Sequence, residues 1–124
     1  NDAKPLWVID KVKLAIADFL QANPTKTAKD VTIACYGLAF KPDIDDLRES
    51  PALGIVNAIS ELHSGVVLAV EPNVKKLKSS ALFNLVDIEK ASTSADINLI
   101  LVNHKEFRGL KFNPILIDAV GLTQ

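Results

Sequence analysis

Val31-Thr32-Ile33-Ala34-Cys35-Tyr36, followed by Gly37-Leu38-Ala39-Phe40-Lys41-Pro42-Asp43-Ile44-Asp45-Asp46-Leu47-Arg48-Glu49-Ser50-Pro51, is the stretch on which the reading of this chain turns. The first six residues are short, rich in β-branching and almost continuously apolar, the pattern of a strand covered on both faces. Ser50-Pro51 then offers a helix N-cap and a first-turn proline. Ile55, Val56, Ile59 and Leu62 carry on as a helical stripe as far as Gly65. Val66-Val67-Leu68-Ala69-Val70 is a second buried strand, closed by Glu71-Pro72-Asn73. A strand, a loop, a helix and a second strand make a crossover unit, whose default is right-handed with parallel strands. The loop leaves the carboxyl end of its strand, where open α/β sheets bind their ligands.

Outward from this unit the theme repeats. Residues 5–22 read as an amphipathic helix with Val8, Val12, Ala15, Ile16 and Phe19 on one stripe. Pro5 is tolerated in a first turn, and Asn23-Pro24 ends the helix because proline disfavours helical geometry at the residue before it. Leu85-Val86 reads as a short strand, Ile88 to Ala95 as a short helix, and Ile97 to Val102 as a strand. His104 to Gly109 reads as a helical turn, and Ile115 to Asp118 as a last strand. Such alternation predicts an α/β fold, a doubly wound parallel sheet of about five strands preceded by a helix. The expected organisation is a linking helix over 1–24 and a ligand-binding domain over 25–124.

At 124 residues the chain suits one domain with a real core. A net charge of −1 gives no argument for a nucleic-acid or membrane-surface partner. No apolar run approaches the roughly 20 residues that span a bilayer. The first residues lack a cationic start followed by an unbroken apolar stretch, so no secretory signal is expected in them. The single cysteine, Cys35, has no internal disulfide partner, which suits a reducing compartment. The chain holds no methionine and opens Asn1-Asp2-Ala3, so it is expected to be a segment of a longer protein.

The long loop holds the chemistry. The dinucleotide fingerprint G-x-G-x-x-G is absent, with Ala39 and Pro42 where glycines would stand, so a pyrophosphate packed on bare backbone is not expected. Lys41 can hold a phosphate as a point charge and Arg48 can grip one with two donors. Equally, on spacing alone, the two cations can serve to neutralise Asp43, Asp45, Asp46 and Glu49. Phe40 is either a plug beneath the loop or a platform for a base or sugar. The acidic residues lack the glycine and terminal glutamate of a calcium loop, so no metal is expected. Cys35, inside an apolar strand, reads as a buried structural thiol. His63 stands near a helix C-terminus, where a cation is favoured. His104 follows a strand end and so lies on the ligand rim. Glu71 occupies the place of a ribose-binding acid, an analogy that the missing glycines weaken. Nothing pairs a nucleophile with a base, and the chain alone does not read as catalytic.

The fifteen-residue loop from Gly37 to Pro51, with the helix, strand and Val70-Glu71-Pro72-Asn73 that follow, resembles the C-terminal domain of the UDP-glucose/GDP-mannose dehydrogenase family. That family is recognised by F-K-x-x-x-x-D-x-R, present here as Phe40-Lys41, Asp46 and Arg48. The Ile44-Asp45-Asp46-Leu47-Arg48-Glu49-Ser50-Pro51-Ala52 form is most similar to the branch that oxidises UDP-N-acetyl-D-mannosamine. The likeness runs from about Val31 to Asp118. It implies a parent enzyme with two Rossmann-like domains joined by a long helix, the first binding NAD and the second, represented here, binding the UDP part of the substrate. The family oxidises a sugar C6 alcohol to a carboxylate in two hydride transfers, through a cysteine that lies upstream of this segment. The resemblance further implies that Phe40 and Lys41 contact the nucleotide sugar, and that Arg48 reaches NAD on the other domain. It implies a cytoplasmic bacterial enzyme, a homo-oligomer, that supplies uronic acid donors for surface polysaccharide. One departure is visible: the family often carries a basic residue after the last strand's aspartate, and here the sequence is Asp118-Ala119-Val120-Gly121. The rival readings are a non-catalytic nucleotide-binding or oligomerisation module, a UDP-glucose dehydrogenase domain, and a receiver-like signalling domain. The last is disfavoured because the acids lie well into the loop and not at a strand end.

Overall fold

Ile33–Tyr36 forms β1, and all four residues are buried, because helices cover both faces of the sheet. The computed structural model describes residues 3–38, 51–72 and 82–120, with side chains from residue 6 onward. Val67–Val70 (β2) and Ile97–Ile100 (β4) are buried throughout like β1 and pair with it in parallel on either side. The short edge strand Asn84–Leu85 (β3) extends the sheet beyond β2, and Ile115–Asp118 (β5) extends it beyond β4. The order is β3-β2-β1-β4-β5, so the chain winds outward from β1 and then returns to its other side. The reversal lies between β1 and β4, which makes the carboxyl ends of these strands the topological switch point. Tyr36 is level with Val70 on one side and Ile100 on the other. The residues just beyond them therefore share one rim.

Alternation along each strand divides the core into two layers. Ile33, Cys35, Val67, Ala69, Ile97 and Leu99 face the helices Ala3–Ala22 (α1) and Pro51–Leu62 (α2), meeting Val8, Val12 and Phe19 from one and Ile55, Val56 and Ile59 from the other. Ala34, Tyr36, Leu68, Val70 and Ile100 face the opposite way, onto Ala91 of Ile88–Ser94 (α3) and onto Phe107 and Phe112. The expected doubly wound α/β architecture is what the chain adopts. α1 is itself a packed layer of this fold. It starts two residues earlier than its periodicity suggests, and Ile16 of its stripe is only half-buried. Asn23 ends it by donating from Nδ2 to the carbonyl of Phe19 at 2.8 Å, which satisfies one of the carbonyls a helix end leaves open.

The edges depart from the sequence reading where the sheet itself runs out. Leu62, expected on the buried stripe of α2, is 41% exposed, and Val66, expected in β2, is 46% exposed. Instead the chain turns His63 inward, its Nε2 lying 2.7 Å from the carbonyl of Val31. β3 lies one residue earlier than expected, over Asn84–Leu85. β4 ends at Ile100 and not at Val102, because the amides of Leu101 and Val102 both turn onto the carbonyl of Tyr36 at 2.9 and 3.3 Å. The expected turn after His104 is a short 3-10 turn, Lys105–Phe107. Ser50, expected as the cap of α2, lies outside the described residues, while Pro51 does open that helix.

Candidate functional site at the switch point

Gly37 is the first residue past β1, and its φ of +104° suits a residue without a Cβ. A Cβ there would lie 2.6 Å from Cβ of Val102, so the exits of β1 and β4 pass in close contact. The Gly37 amide makes the last bond to β2, donating to the Val70 carbonyl at 2.8 Å. For the next amide along the chain, a side chain supplies the acceptor. The Leu38 amide donates to Oε1 of Glu71 at 2.8 Å.

The same Oε1 lies 2.9 Å from Nε2 of His104, and both side chains are fully buried. A carboxylate is an acceptor only, so Nε2 is the protonated nitrogen of the ring if Glu71 is ionised. The ring is also braced edge-on against Phe107, with centroids 5.5 Å apart at 70°. Phe107 in turn packs edge-on against Tyr36. Acid, imidazole and amide thus tie the exits of β2, β4 and β1 into one buried node. The sequence placed Glu71 and His104 on this rim separately. Their pairing across 33 residues was missed, and its one signal was that each follows an apolar strand whose end is level with Tyr36.

Glu71 thus turns Oε1 inward, onto the Leu38 amide and His104. The residue also borders a cavity of about 660 Å³ outside the ends of β2 and β3. That volume lies within the range of small-molecule sites. Val70, Pro72, Leu85 and Val86 give the cavity its apolar walls. Asp87, also on its lining, is spent as the N-cap of α3, accepting from the Lys90 amide at 2.8 Å.

A second buried polar group braces the sheet under the rim. Asn98, in the middle of β4, accepts from the Tyr36 hydroxyl at 2.7 Å and donates to the carbonyls of Asn113 and Ile115 at 3.1 and 3.3 Å. All polar atoms of its amide group thus find partners, as burial requires.

Phe40, Lys41 and Arg48, with Asp43, Asp45 and Asp46, lie outside the described residues, in the span between the anchored Leu38 and Pro51 at the start of α2. Cys35 is fully buried, and burial pushes its thiol up to about 12, so it is a structural thiol and not a nucleophile. His63 sits at the opposite end of the sheet, beside the approach to β1. Asp118 ends β5 and accepts from the Val120 amide at 3.1 Å. Among the described residues no group of three or more potential ligands is placed to hold a metal ion, and no helix is long and apolar enough to cross a membrane.

Comparison with known proteins agrees with this geometry. The model of the UDP-glucose/GDP-mannose dehydrogenase family, UDP binding domain, matches residues 34–123. A UDP-N-acetyl-D-mannosamine dehydrogenase of Yersinia pestis is 55% identical over 98% of this chain and 30% of its own length. An NDP-N-acetyl-D-galactosaminuronic acid dehydrogenase of Ralstonia solanacearum is 46% identical over 98% of the chain and 28% of its own length. The chain thus spans under a third of the length of these relatives. Among solved structures, the UDP-N-acetyl-mannosamine dehydrogenase of Staphylococcus aureus superposes with a TM-score of 0.75 at 27% identity, covering 98% of this chain and 28% of that one. With the Phe40-Lys41…Asp46-x-Arg48 pattern following β1 in the sequence, a five-stranded parallel sheet, and the family model covering most of the chain, this protein belongs to the UDP-glucose/GDP-mannose dehydrogenase family, within its UDP binding domain.

Proposed function

We propose that this chain is the nucleotide-sugar-binding domain of an NAD-dependent UDP-N-acetyl-D-mannosamine 6-dehydrogenase. The observation that carries the reading is the position of Leu38. It is anchored on the switch-point rim, where a doubly wound fold takes its ligand, and Phe40 and Lys41 follow it by two and three residues in the sequence. In this reading Lys41 meets the substrate's phosphates as a point charge and Phe40 packs against the nucleotide sugar. Arg48 extends from the same loop toward NAD held on another domain of the whole protein. α1 supplies the connection to that domain.

The sequence does not carry a dinucleotide fingerprint after β1. Glycines are missing at positions 39 and 42, and the acid at the end of β2 is turned inward onto His104. This supports placing NAD on the other domain. Held there, NAD would supply the hydride acceptor for two successive oxidations of the sugar. The residues of this chain bind the UDP group, orient the sugar and help exclude water as the cleft closes. Cys35 takes no part, because burial keeps it protonated. The parent enzyme acts as a homo-oligomer in the bacterial cytoplasm and furnishes uronic acid donors for surface polysaccharide. The Ralstonia relative acts, by its name, on a different N-acetylated sugar, so a galactosamine-type substrate is the alternative within the same chemistry.

Site-directed variants of the full-length enzyme test the assignment. A charge-assisted contact is worth about 1.5–3 kcal/mol, so Lys41→Ala lowers kcat/KM for the UDP-sugar by roughly 10- to 150-fold and leaves the KM for NAD unchanged. Arg48→Ala has the converse effect. Equal losses toward both ligands in either variant would sink the assignment of that residue.

A further inference from the structure

Glu71 and His104 stand on the rim where a dinucleotide fold exposes ligand-binding groups, yet neither side chain reaches solvent. We propose that they are positioning residues. Together they fix the point at which Leu38 leaves the sheet, and so the register in which Phe40 and Lys41 meet the nucleotide sugar. The proposal deepens the function argued above and rests on it for the identity of the ligand.

Past the Gly37 amide the ladder between β1 and β2 is finished. Leu38 is nevertheless fully buried, and its amide needs an acceptor there. Glu71 Oε1 provides it at 2.8 Å. A buried carboxylate is costly unless partners satisfy it, and His104 Nε2 at 2.9 Å is such a partner. The imidazole is in turn held by its contact with Phe107 and by the turn in which the His104 amide donates to the Val102 carbonyl at 3.0 Å. Val102 is the residue against which Gly37 closes. The exits of three strands therefore constrain one another around a single carboxylate oxygen.

Lys41 is three residues beyond Leu38 in the chain, and a misplacement of about 1 Å at a substrate-positioning group can cost on the order of 100-fold in rate. Neither Glu71 nor His104 touches the ligand in this account; both act through Leu38.

The test uses the full-length protein with Glu71→Ala, Glu71→Gln, His104→Leu and His104→Gln. A glutamine amide nitrogen can take the place of Nε2, so His104→Gln keeps the donor that His104→Leu loses. Glu71→Ala and His104→Leu are expected to raise the KM for the UDP-sugar by about tenfold or more, with the KM for NAD changed less than about twofold. His104→Gln is expected to recover most of that loss, and Glu71→Gln, which keeps a carbonyl for the Leu38 amide, to fall between. A second readout needs no activity. Hydrogen exchange at the Leu38 amide, followed by mass spectrometry, is expected to speed up by about 100-fold in Glu71→Ala while the amides of Ile33–Tyr36 keep their protection. Unchanged Leu38 exchange in Glu71→Ala overturns the proposal, as does a His104→Gln enzyme no better than His104→Leu. If the wild-type protein turns over no UDP-sugar, the functional reading fails on its own, and the exchange measurement still decides whether Glu71 holds Leu38.

Discussion

Replacing Gly37 by alanine adds one methyl group at the most crowded point of the switch. Two costs follow, and the structure separates them. The first is conformational: φ at Gly37 is +104°, and a residue with a Cβ held in such a region costs about 1–3 kcal/mol. The second is steric: the new carbon would lie 2.6 Å from Val102 Cβ and 2.9 Å from the Val102 amide nitrogen, against a comfortable separation of about 3.5–4.0 Å. Roughly an ångström must be found, and the Val102 amide is tied to the Tyr36 carbonyl at 3.3 Å, so the neighbour gives little. Overpacking of this kind costs about 1–3 kcal/mol, and the two together come to about 3–4 kcal/mol if the chain relaxes in part. For 124 residues, an unfolding entropy of about 2.1 cal/mol/K per residue gives about 260 cal/mol/K, so Tm falls by about 12–15 °C.

Two other glycines serve as controls in the same urea and thermal unfolding assays. Gly109 also has a positive φ, +81°, but a Cβ there meets nothing within 4 Å. Gly109→Ala therefore reports the conformational cost alone, about 1–2 kcal/mol. Gly54 lies in α2 with open space around it, so Gly54→Ala stabilises the protein by about 0.4–1 kcal/mol. The expected order is Gly54→Ala above wild type, then Gly109→Ala, then Gly37→Ala. A Gly37→Ala protein no less stable than Gly109→Ala would refute the claim that the exits of β1 and β4 are locked together.

Tyr36→Phe removes the hydroxyl that donates to Asn98 at 2.7 Å and leaves a buried acceptor short of a partner, so it costs about 1–3 kcal/mol by urea unfolding; a change under about 0.5 kcal/mol contradicts the role given to this network. Cys35 makes folding stability sensitive to alkali. Burial raises its thiol from 9.0 to about 12, and burial followed by the neighbouring Cys35 raises Tyr36 as well. The unfolded chain thus ionises first and binds fewer protons than the folded one above pH 9. This contribution to stability is complete below pH 9 and is lost as pH rises toward 12. The urea midpoint should decline over that window and decline less in Cys35→Ala; an equal decline in both proteins refutes the assignment.

Much of the fold is legible because its strands are buried on both faces. β1, β2 and β4 announce themselves as apolar runs, and the alternation of strands with helical stripes implies a parallel sheet. What periodicity does not convey is where the sheet ends. Leu62 lies on the correct face of α2 but beyond the layer it would cover, and it faces solvent. Leu101 and Val102 are apolar and buried like strand residues, yet they close the rim against Tyr36 and Gly37. The site is harder to read for the same reason. Glu71 and His104 are each unremarkable in sequence, and only the level register of β1, β2 and β4 brings them onto one oxygen. The roles proposed for Phe40, Lys41 and Arg48 rest on the family's pattern, since spacing alone left phosphate binding and charge neutralisation equally open for the two cations, and plug and platform open for Phe40.

The measurement that bears most directly on the proposed function is NADH formation by the full-length protein, with UDP-N-acetylmannosamine, UDP-N-acetylgalactosamine, UDP-N-acetylglucosamine and UDP-glucose offered in turn. The account predicts turnover of the first in preference to the others, with two NADH formed per sugar because the alcohol is carried through to the carboxylate. A folded protein that reduces NAD with none of these sugars would contradict it.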